Sequence, residues 1–158
     1  MFDLDPVYDF QLSLNVTLTK KGVSRTNNYS TGVERFAVLG GVKRSIRRGG
    51  ENGMGDADII SEFYQAKQFR NLTITRKRDQ ESLVYWSLYD RQLPFEFTFT
   101  VKSLSPQSRF RHIQLVTKKA RIVKPPTSHD GDTLNIVFSD PQIFYYYADS
   151  LGMVKEKI

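Results

Sequence analysis

No cysteine occurs anywhere in the chain, which excludes disulfides, thiolate metal centres and cysteine nucleophiles at once. Histidine is nearly as scarce: His112 and His129 are the only two, too few to build a histidine-ligated metal cluster. No apolar run approaches the roughly 18 residues of a membrane-spanning helix. The opening residues Met1-Phe2-Asp3-Leu4-Asp5-Pro6 carry neither the basic nor the apolar stretch of a secretory signal. A chain made and folded in a cytoplasm, without membrane insertion, is the expectation. Catalytic patterns are missing as well, with no GxSxG elbow, HExxH, CxxC, P-loop or kinase signature. Asp56 and Asp58 lie outside any EF-hand spacing, and His129-Asp130 falls in a Pro/Gly loop, where a turn is a simpler reading than a dyad. The residues predict neither an enzyme nor a cofactor, and no metal site.

What is present points to strands. The 158 residues suit one domain with a single core. Eleven Phe and eight Tyr favour β-structure over helix. Lys plus Arg outnumber Asp plus Glu by 23 to 17, a net charge of +6. That balance permits an acidic or nucleic-acid partner, yet it lies within the range that merely keeps a small domain soluble.

Periodicity supplies the elements. Phe10, Leu12, Leu14, Val16 and Leu18 alternate with polar residues, which predicts a half-buried strand. A turn at 20–24 and a polar connection at Asn27-Asn28 lead to a second strand over 29–39. The segment 40–58 holds six glycines among charges and cannot bury a core face of its own, so it is expected to be a long excursion used in assembly. A short apolar patch of unassigned type, 59–64, precedes a strand over 68–78 whose wet face and end are basic at Arg70, Arg76, Lys77 and Arg78. Asp79 is placed to cap a helix over about 80–91, with Leu83, Val84, Trp86 and Leu88 at helical spacing. Leu83 and Trp86 are assigned to the core with Phe95, Phe97 and Phe99, which alternate with Glu96, Thr98 and Thr100 in the clearest strand of the chain. Extended segments follow over 109–124, 134–138 and 143–147, the last apolar on both faces, and then a tail over 151–158 that is mobile or used in assembly. The fold class is mainly β (α+β): two packed antiparallel sheets or a β-barrel, with one flanking helix at about 80–91 and the long loop at about 40–58.

The stretch from Ile46 to Trp86 has a specific order. Arg47-Arg48-Gly49-Gly50-Glu51-Asn52 comes first, then Asn71-Leu72-Thr73-Ile74-Thr75-Arg76-Lys77-Arg78, then the tryptophan helix. This order resembles the tail tube proteins of contractile phage tails and related injection systems, and more distantly the haemolysin-coregulated protein of type VI secretion. The resemblance implies a structural subunit whose copies close hexameric rings, edge to edge, that stack into a hollow tube. It further implies sheath and baseplate proteins as partners, DNA or protein cargo in the lumen, and a place in a virion tail or injection particle. The interface residues it implies are Arg44, Arg47, Arg48, Gly49, Gly50, Glu51, Asn52 and Gly53. A different reading, a β-barrel that binds single-stranded nucleic acid, needs cations beside exposed aromatics. Here the basic residues are dispersed over several elements, away from the phenylalanine face.

The loop expectation has a direct test. Arg47→Glu combined with Arg48→Glu should leave monomer stability within about 0.5 kcal/mol, as for surface changes remote from special features, and should block assembly by repulsion repeated at every copy. Thermal melting beside electron microscopy measures both. Normal assemblies from the double variant would make the loop a passive excursion.

Overall fold

The computed structural model describes residues 8–40, 46–47, 55–104, 110–127, 131–149 and 152–157. Ten strands and two helices follow in the order β1 (Tyr8–Lys20), β2 (Val23–Gly32), β3 (Arg35–Ala37), β4 (Ile46–Arg47), α1 (Asp56–Phe69), β5 (Asn71–Arg76), α2 (Ser82–Asp90), β6 (Phe95–Ser103), β7 (His112–Ile122), β8 (Asp132–Ser139), β9 (Gln142–Asp149) and β10 (Gly152–Lys157). The fold is mainly β, as the alternation predicted.

All strand pairs are antiparallel, in the order β2-β1-β6-β7-β8-β5-β3-β4, with β9 on the first half of β7 and β10 outside β9. The path closes on itself. Immediately after pairing with β1, the chain of β2 sends the Val33 N–H to the Phe10 carbonyl at 3.0 Å, and the next N–H, Glu34, to the Thr75 carbonyl of β5 at 2.8 Å. One continuous run, β2 through β3, therefore bridges β1 and β5 and turns the sheet into a barrel. Of the two architectures open to the sequence, hydrogen bonding selects the barrel.

Inward-facing residues of the barrel strands form one core with contributions from both helices. Phe36 meets Phe10 edge-on at 5.2 Å and Phe99 at 4.9 Å, while Phe63 of α1 stacks on Phe99 at 5.6 Å. Phe95, Phe97 and Phe99 are buried, as their alternation required.

Several boundaries differ from the sequence reading, each for a local reason. The apolar patch at 59–64 belongs to α1, whose buried positions Ile59, Glu62, Phe63 and Ala66 follow helical spacing. The helix takes up residues assigned to the loop at one end and to a strand at the other, so the described residues hold two helices. It ends because Arg70 adopts a left-handed conformation, φ 56°, with its N–H on the Ala66 carbonyl. β2 occupies the residues read as a polar connection. Both of its faces are largely exposed, so no hydropathy alternation marks it; the turn residues Lys21 and Gly22, both at positive φ, set a two-residue hairpin. Part of the tail pairs as β10 with β9.

The assignment of Leu83 and Trp86 to the core is corrected. Leu83 is 77% exposed and Trp86 40%, whereas Tyr85 and Leu88 are buried. α2 is apolar nearly all round, so two stripes with the same three-residue spacing compete. The Tyr85 stripe wins because its ring lies under the Arg76 guanidinium, 4.7 Å from centroid to carbon. Asp79 also sits one turn before the helix, which begins at Ser82. Its carboxylate accepts the Glu81 N–H at 2.9 Å.

Truncations should separate the two groups. Phe99→Ala is expected to cost about 3–5 kcal/mol, and Trp86→Ala less than about 1 kcal/mol, as for a surface site. Chemical denaturation of each variant measures the difference. A Trp86→Ala loss equal to that of Phe99→Ala would restore Trp86 to the core.

Candidate assembly surface

Arg76 follows Leu72 and Ile74 at every second position on β5, so strand parity turns it inward. It is 1% exposed, the largest fully buried side chain among the described residues. Its charge is met on all sides. Nε donates to Thr31 Oγ1 at 2.9 Å, Nη1 to Asp132 Oδ2 at 2.6 Å, and Nη2 to Asp79 Oδ1 at 2.7 Å. Asp132 is itself 1% exposed and also accepts the Ser82 hydroxyl at 2.5 Å, with Arg78 Nε 3.5 Å from its other oxygen. Burial works against the Arg76 charge, but the hydrogen bonds to Asp79 and Asp132 and the field of neighbouring groups outweigh it, and its pKa stands above the ordinary value. The same Arg76 hydrogen bond holds the Asp79 carboxyl below its usual range, and burial pushes the Tyr85 phenol up to about 12. Gly131, beside Asp132, has φ 136°, and a Cβ there would stand 2.3 Å from the Arg76 carbonyl oxygen. This contact demands glycine. The cluster joins β2, β5, β8 and the lead-in to α2.

β2 has β1 on one side and no strand on the other among the described residues. Its ten residues, VSRTNNYSTG, include no proline and no lysine, and Arg25 is their only charge. Those are the usual devices by which a soluble protein blunts a sheet edge, and β2 lacks them. Cross-strand hydroxyl pairs, Thr17 with Thr26 at 2.9 Å and Thr19 with Ser24 at 2.8 Å, stiffen the hairpin. β10 and β4 are likewise terminal strands of the network.

A third feature arises in the middle of β7. Phe97 pairs with Thr117 and Phe95 with Ala120, so β7 has one residue more than β6 in this interval. This is a β-bulge. On the opposite side, β7 changes partner across the same point, from β9 up to Val116 to β8 from Lys119. The bulge breaks the in-out alternation and leaves Lys118 and Lys119 exposed in succession. Thr117 is buried, and its hydroxyl donates to the Ser139 carbonyl at 2.7 Å, pinning the distortion. The splayed strands leave an open groove of about 590 Å³, lined by Lys118, Lys119, Arg121, Glu96, Val137 and Pro94 over a floor of Phe95 and Phe138.

Of the predicted interface residues, Arg47 lies in β4, opposite Arg35 of β3. Arg44, Arg48, Gly49, Gly50, Glu51, Asn52 and Gly53 lie outside the described residues. The Asn71 motif has a structural role: its side chain accepts the Leu39 N–H at 2.8 Å and donates to the Leu39 carbonyl at 3.0 Å, extending the β3–β5 ladder by one pair. The burial of Arg76 escaped the sequence reading, which placed it on a wet basic face. Strand parity was the signal that could have found it. The groove had no hydropathy signal apart from the Lys118-Lys119 doublet. A scan against protein-family models and a search of curated proteins returned no match. Among the described residues no helix is long and apolar enough to cross a membrane.

Asp132→Asn should destabilise the fold by about 3–5 kcal/mol, the usual result of leaving one partner of a buried ion pair uncompensated. Denaturant titration gives the value. A loss under about 1 kcal/mol would mean that Asp79 and Glu81 suffice to hold the Arg76 charge.

Proposed function

We propose that the chain is a structural, non-catalytic subunit of a hollow tube built from stacked rings of six copies. It serves as the conduit for DNA or protein in a phage tail or contractile injection particle assembled in a bacterial cytoplasm. Sheath and baseplate proteins are its expected partners. The observation that supports this reading is the unblunted β2 edge: ten residues of strand, one charge and no proline, on a sheet that also ends in β10. Pairing an edge of one copy with a different edge of the next is a heterologous contact, which generates rings when the rotation closes. Each such contact also satisfies backbone groups that a lone barrel leaves to water. The order of motifs from Ile46 to Trp86 supports the same assignment.

Electron microscopy and sedimentation of the concentrated protein test it, with Asn27→Pro and Asn28→Pro as paired variants. Successive N–H groups of an antiparallel strand point to opposite edges, so one proline removes a bond to β1 and the other removes only an outward donor. Rings or tubes are expected from the wild type and from neither variant, with one variant melting as the wild type does. Uniform monomers from the wild type at all concentrations would overturn the proposal.

A further inference from the structure

The groove at the β7 bulge carries chemistry that edge pairing does not use. Its three cations, Lys118, Lys119 and Arg121, take part in no ion pair or side-chain hydrogen bond among the described residues, and neither does Glu96 on the same wall. Elsewhere the fold matches its buried charge closely, as at Arg76. Three unpaired cations around one depression, two of them brought side by side by a backbone distortion, make a receptor for carboxylates or phosphates. The volume lies within the range of sites that take a small ligand or a short peptide segment, about 300–1,000 Å³.

The lining distinguishes these two kinds of anion. Single-strand nucleic acid binds by stacking bases on exposed aromatics along a continuous basic track. Here the aromatics, Phe95 and Phe138, are buried in the floor, and Glu96 interrupts the positive wall. Exposed Val137 and Pro94 instead offer contact to aliphatic and aromatic side chains, and Asn15 and Thr17 offer polar groups to a peptide backbone. A short segment with alternating acidic and apolar residues fits this lining.

The chain contains such a segment. Met1-Phe2-Asp3-Leu4-Asp5-Pro6 has two carboxylates, three large apolar side chains before and between them, and no lysine or arginine. It cannot serve its own groove. Tyr8 begins β1, and Asn15 of the groove lies about 24 Å along that strand at roughly 3.4 Å per residue. Asp5, three residues before Tyr8, reaches at most about 11 Å from it when fully extended, so the two carboxylates cannot both meet the cations of their own groove.

We infer that the groove around Lys118, Lys119 and Arg121 receives the acidic amino-terminal segment of a second copy, with Asp3 and Asp5 against the three cations and Phe2 and Leu4 over Val137 and Pro94. The identity of the occupant rests on the tube reading, since it requires neighbouring copies. The contact is separate from the β2 edge and joins copies through a side-chain lock.

Two measurements test the inference. The first is fluorescence anisotropy of a labelled MFDLDPVY peptide against full-length protein, at a concentration where sedimentation shows monomers. Binding should weaken at least about tenfold with Lys118→Glu plus Arg121→Glu, or with Asp3→Lys plus Asp5→Lys in the peptide, which leaves the protein untouched. A decathymidine strand should bind more weakly than the peptide at the same salt. The second is assembly of the full chain by microscopy: Asp3→Lys plus Asp5→Lys should abolish it, Lys118→Asp plus Arg121→Asp should abolish it, and the two combined should restore it. A peptide that fails to bind, or binds the reversed groove equally, overturns the inference even if the wild type forms tubes. Tighter binding of decathymidine overturns it in favour of nucleic acid. Absence of wild-type assemblies overturns the tube reading by itself, and the peptide titration still decides whether the groove recognises this segment.

Discussion

The structure depends on a guanidinium that water does not reach. Burying an unpaired charge is among the most costly things a fold can do, so the Arg76 side chain requires Thr31, Asp79, Ser82 and Asp132 to stand where they do. These residues come from β2, from the lead-in to α2, from α2 itself and from β8, and Gly131 allows the β8 backbone to approach. A neutral residue at 76 would remove that demand and leave Asp132 as the uncompensated buried charge. The ion cluster thereby orients α2, with Tyr85 under the guanidinium and Leu83 and Trp86 on the outer side.

Barrel closure and the surface features have linked origins. A single run of chain, β2 into β3, leaves β1 and joins β5 within two residues, so that its first part remains a projecting edge while its last part seals the barrel. On the other side, β7 serves β6, β8 and β9, and it can do so only by inserting a residue and changing partners. The open edge and the basic groove are thus products of how the sheet solves its own connectivity. Tyr29 of β2 and the groove floor, Phe95 and Phe138, belong to or touch the core, while the exposed side chains of edge and groove add nothing to it.

Strand alternation was legible wherever one face met the core and the other met water. The runs beginning at Phe10, Phe95 and Leu134 became β1, β6 and β8, with the expected faces buried. Legibility failed where that contrast was absent. β2 is wet on both faces, α2 is apolar on nearly all sides, and the Ile59 region presented too short an apolar run to be separated from a strand.

The sequence by itself determined a mainly β chain without thiol chemistry and the inward parity of β1, β6 and β8, because side-chain period and composition are local properties. Only the tertiary structure decided that the sheet closes as a barrel, that Arg76 is a buried hub and not part of a basic surface, and that Tyr85 and not Trp86 enters the core. Each of these depends on partners far away in the chain: Thr75 for the closure, Asp132 for the arginine, and the arginine in turn for the tyrosine. The groove has the same character. Lys118 and Lys119 form a charged doublet in one dimension, and they line a cavity only after β6, β7 and β8 have been brought into a register that leaves one residue over.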